Sequence, residues 1–88
     1  MLSATAQHAV RALAHMAHLP EGESILGREL SQAAGIPANF LAKIMLTLRN
    51  AGIVDATRGL GGGYRLSKRP DEISLMEVAE LFDGINAR

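Results

Sequence analysis

The chain has 88 residues, 48% of them hydrophobic, which suits one small domain; with only Phe40, Tyr64 and Phe82 aromatic, its core must be aliphatic. The absence of cysteine excludes, within these residues, a disulfide framework, a thiolate zinc site, a cysteine nucleophile and a cysteine-held iron–sulfur cluster. Nine basic and nine acidic residues cancel, which excludes a uniformly cationic coat; no apolar stretch is long enough to span a membrane, and Met1-Leu2-Ser3 lacks the features of a secretory signal, so a cytoplasmic location is expected.

Ser3 can cap a first helix running to about His18, with Val10, Leu13, Ala14 and Ala17 as its apolar face. Pro20-Glu21-Gly22-Glu23 ends it in a loop, and Ile25-Leu26 has the look of a very short strand. Gly27 to Ala34 reads as a second helix with Leu30, Ala33 and Ala34 inward, stopped by Gly35 in a left-handed conformation. Pro37 suits the first position of a third helix, where a missing N–H costs nothing. That helix carries Leu41, Ile44, Met45 and Leu48 on one face and Ala38, Asn39, Ala42, Lys43, Thr47 and Asn50 on the other, and ends at Gly52.

Ile53 to Thr57 then reads as a strand, Arg58-Gly59-Leu60-Gly61-Gly62-Gly63 as a turn-forming tip, and Tyr64-Arg65-Leu66 as the return strand. Ser74 and Glu77 form a capping box at the start of a fourth helix, whose apolar face is Leu75, Val78, Ala79 and Phe82. The expected architecture is mainly α with a small β-hairpin, a single winged helix-turn-helix domain over residues 1–88.

The neutral total conceals a segregated charge map. Residues 1–38 carry two basic against three acidic side chains, a net −1. Residues 39–69 carry Lys43, Arg49, Arg58, Arg65, Lys68 and Arg69 against Asp55 alone, a net +5. Residues 70–88 carry Arg88 against five acids, a net −4. A block of cations is the electrostatic footprint for a polyanion, although it is equally the composition of a solvated surface.

Two elements turn that footprint into a functional reading. The first is helix, glycine-containing turn, helix: Arg28 to Ala34, Gly35-Ile36, then Pro37 to Ala51. In this arrangement the second helix can enter the major groove of DNA with its N-terminal residues at the base edges. Asn39 offers donor and acceptor together to an adenine edge, and Lys43 reaches a guanine edge or a phosphate. Ala38 and Ala42 are small enough for close approach, and Phe40 lies on the same first turn. Any small helical protein has such corners, so this signal alone is unspecific.

The second element is the hairpin, a wing. Gly59, Gly61 and Gly62 let its tip lie flat against a phosphate backbone, and Arg58 beside them can enter a narrow minor groove. Arg49, Arg65, Lys68 and Arg69 suit phosphate contacts, and Arg28 flanks the second helix. No acid occurs between Arg58 and Arg69.

These blocks resemble the Rrf-two family of bacterial winged-helix regulators (the IscR-, NsrR- and CymR-like proteins). The resemblance lies in Ala9-Val10-Arg11-Ala12-Leu13, in Gly35 to Leu41 and in Leu48 to Val54. It is most specific in Arg58 to Leu66 and in Ile73-Ser74-Leu75-Met76-Glu77-Val78. It implies a homodimeric transcription regulator, repressor or activator, that binds a palindromic operator in double-stranded DNA. The third helix would occupy the major groove and Arg58 the minor groove. Many members sense iron–sulfur status, nitric oxide or iron through a cluster held by three cysteines located after the fourth helix. The sequence stops at Arg88, before that region, so no cofactor is expected in this chain, and a cluster only in a longer parent. A domain of a longer regulator is favoured over a short, cluster-free relative, because Leu75, Val78, Phe82 and Ile85 would otherwise be poorly covered. One departure is Pro37, where many relatives carry a serine as helix cap.

Other sites are weaker. His15 and His18 lie one turn apart on the first helix, but no carboxylate or cysteine stands nearby in sequence to complete a metal site. Gly59 to Tyr64 is not a dinucleotide fingerprint, because Tyr64 occupies the last glycine's place, and it lacks the lysine of a phosphate-binding loop. Glu77 and Glu80 are paired only in sequence, and no nucleophile–base arrangement is present, so an enzyme is not expected. The reading that competes with DNA binding is a winged-helix protein–protein module that turns its wing and third helix to a partner.

Overall fold

A computed structural model describes residues 3–57 and 63–83. The described elements are α1 (Ala4–Ala17), α2 (Gly27–Ala34), α3 (Ala38–Asn50), β1 (Val54–Thr57), β2 (Gly63–Leu66), a 3₁₀ turn (Pro70–Glu72) and α4 (Leu75–Asp83). The wing residues Arg58, Gly59, Gly61 and Gly62 lie outside the described residues, as does Ile85.

Helix α1 is the hub, packing against α2, α3, α4 and β2. Its start is fixed by Ser3, whose Oγ accepts from the Ala6 N–H at 3.1 Å. The same serine ties the two ends of the described chain together: its N–H donates to Asp83 Oδ2 at 3.2 Å and its hydroxyl to Asp83 Oδ1. The buried face of α1 is Ala6, Ala9, Ala12, Leu13 and Met16, so the expected face is rotated. Of the expected set only Leu13 is buried, while Ala14 and Ala17 are exposed and Val10 is half-covered. The reason is close packing. Small alanines let the neighbouring helices approach α1, and the β-branched Val10 sits at the margin.

The corner between α2 and α3 is held by its own backbone. Gly35 adopts φ 70, ψ 37, a conformation that glycine enters without a Cβ penalty. This lets the Ile36 N–H reach back to the Ser31 carbonyl at 3.0 Å, while the Ser31 hydroxyl donates to the Ile36 carbonyl. The Ile36 side chain is buried in the core beside Leu30 and Ala34; Ala33, expected inward, is exposed. Pro37 is the residue before α3 and not its first residue: with φ −54 and ψ 141 it is extended. Its carbonyl accepts the first helical bond, from Leu41 at 2.9 Å. Leu41, Ile44, Met45 and Leu48 are buried as expected. The helix closes with the Ile53 N–H on the Leu48 carbonyl and the Gly52 N–H on the Arg49 carbonyl, the paired bonds of a Schellman ending, with Leu48 and Ile53 both in the core.

β1 and β2 pair antiparallel in the register Val54–Leu66, Asp55–Arg65, Ala56–Tyr64 and Thr57–Gly63. Ile25 adds one bridge on the outer side of β2, exchanging two bonds of 2.8 Å with Tyr64. The short strand expected at Ile25 is thus a single bridging residue. Gly63 is what allows it. A Cβ on Gly63 would lie 2.3 Å from the Ile25 carbonyl oxygen, and its φ is +145.

In α4, Val78 and Ala79 are buried and Phe82 is half-covered, but Leu75 is 65% exposed and does not belong to the buried face. Ser74 Oγ accepts from the N–H groups of Met76 and Glu77. The expected capping box is only half present, because the Glu77 carboxylate accepts from Lys68 Nζ at 3.4 Å.

Candidate nucleic-acid interface

The exposed side of α3 forms one stripe: Asn39, Ala42, Lys43, Leu46 and Asn50, with Arg49 at its edge. This follows from the helical period. Once Leu41, Ile44, Met45 and Leu48 turn to the core, the residues between them must turn to solvent. Asn39 and Lys43, four apart, are therefore neighbours on this face. The Thr47 hydroxyl is occupied, donating to the Lys43 carbonyl at 3.2 Å. Ala38 is exposed on the first turn. Phe40, 51% exposed, stands at the flank of the stripe. It lines a cleft of about 310 Å³ with Lys43, Ile44, His8 and Phe82.

Cation pairing divides the expected contact residues into two groups. Arg65 stands 3.8 Å from Asp55 across the hairpin, Lys68 3.4 Å from Glu77, and Arg69 3.1 Å from Asp71. The run from Arg58 to Arg69 has no acid in sequence, yet the fold supplies one to each of these three. Lys43, Arg49 and Arg28 have no ion-pair partner among the described residues, and all three are exposed. Arg28 is the second residue of α2, and Arg49 lies in the last turn of α3.

Helix ends supply a feature that the sequence reading overlooked. α1 and α4 begin at serines whose hydroxyl oxygens accept N–H bonds. α2 and α3 begin after Leu26 and Pro37, with no side-chain cap, and the first turn of α3 holds no acid. In α2 the acid Glu29 lies in the first turn; α3 alone has neither cap nor acid there, which leaves its first-turn N–H groups, and the positive end of its dipole, available to an outside anion. Absence of Ser, Thr, Asp or Asn at positions 26 and 37 is the signal that could have shown it. Leu46, 54% exposed in the middle of the stripe, was likewise not singled out.

The model of the Rrf2 family, described as "Iron-dependent Transcriptional regulator", matches residues 2–87. The chain belongs to the Rrf2 family. The HTH-type transcriptional regulator IscR of Aliivibrio salmonicida is 39% identical over 88 residues, covering 98% of this chain and 52% of that protein. The chain spans about half the length of the curated relatives it matches. Among solved structures, CymR, the global cysteine regulator of B. subtilis, superposes with a TM-score of 0.88 at 24% identity, covering 96% of this chain and 65% of that one. T. potens IscR does so with 0.85 at 23%, covering 93% and 60%. These likenesses show the winged-helix fold. The family and the named relatives are transcriptional regulators and not enzymes.

There is no cysteine in the chain. Among the described residues no three His, Asp or Glu side chains converge. Two of the three histidines make hydrogen bonds: His8 Nδ1 accepts from Arg11 Nη2 at 2.6 Å, and His18 Nδ1 donates to the Ala14 carbonyl at 2.8 Å.

Proposed function

We infer that this domain binds double-stranded DNA for a cytoplasmic bacterial transcription regulator, with α3 in the major groove and the wing along the adjacent minor groove. The observation that carries the reading is the exposed face of α3. It combines a bidentate amide at Asn39, a cation at Lys43 with no ion-pair partner among the described residues, small Ala42 beside them, and an uncapped N-terminus free of acids. Asn39 and Lys43 read base edges; Arg49, Arg28 and the first-turn N–H groups of α3 hold phosphates and set register. Arg65 and Lys68 contribute phosphate contacts tempered by Asp55 and Glu77.

The functional unit in this reading is a homodimer on a palindromic operator, which acts by blocking or recruiting RNA polymerase. Supporting this, Leu75 and Met76 are 65% and 63% exposed at the start of α4. Leu75 borders an apolar groove with Val10, Ala14, Ala17 and Ile73 to which no residue of α3 contributes, so a protein partner seated there leaves the α3 stripe free.

The test is fluorescence anisotropy against a random duplex and a duplex enriched from a random pool, each at two salt concentrations. Binding should weaken steeply with salt. Lys43→Ala should lose about 1–3 kcal/mol of preference for the enriched duplex. Equal losses on both duplexes remove Lys43 from base reading, and binding indifferent to salt favours a protein partner for this face.

A further inference from the structure

Midway along the α3 stripe, between Asn39 and Asn50 in sequence, stands an aliphatic side chain. At about 100° per residue, Leu46 lies within about 20° of the line through Asn39, on the side of the helix opposite the buried set Leu41, Ile44, Met45 and Leu48. Asn50 lies within about 20° on the other side of that line, and Lys43 about 40° away. Leu46 is 54% exposed, and nothing in the described fold covers it. An exposed leucine by itself means little. This one stands within about 20° of the Asn39 line on the face that, on the reading above, meets the base edges.

We propose that Leu46 is a specificity-determining residue that reads the C5-methyl of a thymine. The proposal rests on the DNA-binding reading and adds to it what is recognised. A helix that lies along the major groove reads bases over about two turns. With α3 seated so that Asn39 meets a base edge, Leu46 also points into the groove. It can neither donate nor accept a hydrogen bond, and the thymine methyl is the one apolar group that the major groove offers. Any other base edge there would leave polar atoms desolvated against an aliphatic chain.

The spacing follows from the helix rise. Seven residues separate Asn39 from Leu46, about 10 Å along the axis. At about 3.4 Å per base step, that places the thymine about three base pairs from the adenine read by Asn39. The half-site is therefore expected to hold an adenine and, about three steps on, a thymine contributed by either strand.

The experiment uses the 88-residue chain and a duplex enriched by it from a random pool at low salt. Each thymine is replaced in turn by deoxyuracil, which removes the methyl and nothing else, and affinity is read by anisotropy for the unaltered chain, Leu46→Ala and Lys43→Ala. One position should weaken binding of the unaltered chain about fourfold, the value of one buried methyl. At that position the deoxyuracil effect should vanish in Leu46→Ala and persist in Lys43→Ala. Matching thermal melts confirm that Leu46→Ala is folded, and the DNA-side change leaves the protein untouched. A deoxyuracil effect that survives in Leu46→Ala at every position overturns the proposal while leaving DNA binding standing. So does the lack of any deoxyuracil effect. Failure to enrich any duplex, with binding indifferent to salt, overturns the DNA-binding reading and the proposal with it.

Discussion

Gly63→Ala tests whether the wing is anchored at its root by steric necessity. At this residue φ is +145, and an added Cβ would stand 2.3 Å from the Ile25 carbonyl oxygen, 2.7 Å from its carbonyl carbon and 3.1 Å from Leu26 Cα. All three atoms are backbone, so no side chain can swing away. The strand must move off Ile25, which breaks the two 2.8 Å bonds between Ile25 and Tyr64. Two backbone hydrogen bonds are worth about 1–3 kcal/mol net, and a residue with a side chain at this φ adds about 1–3 kcal/mol of strain. A loss of about 3 kcal/mol is expected, a large part of the stability of a domain this size. For a chain of 60–100 residues it corresponds to a fall in Tm of about 12–24 °C. Gly35→Ala is the internal control: its φ is +70, but nothing lies within 4 Å of the added Cβ. Only the left-handed penalty of about 1–2 kcal/mol then applies. The assay is thermal unfolding followed by far-UV circular dichroism for the two variants side by side. A Gly63→Ala shift no larger than that of Gly35→Ala would show that the close approach to Ile25 does not hold the wing, and the steric reasoning would be wrong.

Two further outcomes follow from the core and from the charge pairing. Leu48→Ala removes a fully buried side chain at the end of α3 that packs in the same core as Ile53 and should cost about 2–5 kcal/mol in urea unfolding, whereas a loss below 1 kcal/mol would mean that the core collapses around the gap. Glu77→Gln should release Lys68, strengthen binding to random duplex and steepen its salt dependence by up to about 0.9 in the log–log slope; an unchanged slope in the salt titration would place Lys68 away from the phosphates.

The parts of the fold legible in sequence were those set by backbone chemistry and by unambiguous periodicity. Gly35, the four buried residues of α3 and the serine starts of α1 and α4 lie where the pattern puts them, and the hairpin strands do so to within one residue, β1 starting at Val54 and β2 at Gly63. The apolar face of α1 misled because alanine is compatible with either side of a helix. Val10 and Ala17 matched the helical period as well as Ala6 and Ala9 did, and only the positions of the neighbouring helices decide between them. Leu75 misled for the related reason that a single exposed leucine cannot be told from a buried one by spacing. In the candidate site, Asn39 and Lys43 were legible because i, i+4 spacing fixes a shared face. The pairing of Lys68 with Glu77 was not, since it joins two segments that only the tertiary fold brings together.

That pairing bears on how a neutral chain can engage a polyanion. A hairpin whose Arg65, Lys68 and Arg69 were all unpaired would attract any nucleic acid with equal strength. Here each of the three has a carboxylate within 4 Å, and the ion pairs are exposed enough to be weak, so phosphate can compete for the cations at moderate cost. Lys43, Arg49 and Arg28, without ion-pair partners among the described residues, belong instead to the two helices of the corner, whose N-termini carry no side-chain cap. Attraction for a polyanion is thereby stronger at the exposed face of α3 than at the root of the wing. On the proposed DNA-binding reading, a domain charged this way gains less from non-specific binding than its +5 central block suggests, which would leave a larger share of discrimination to the stripe of Asn39, Lys43 and Leu46.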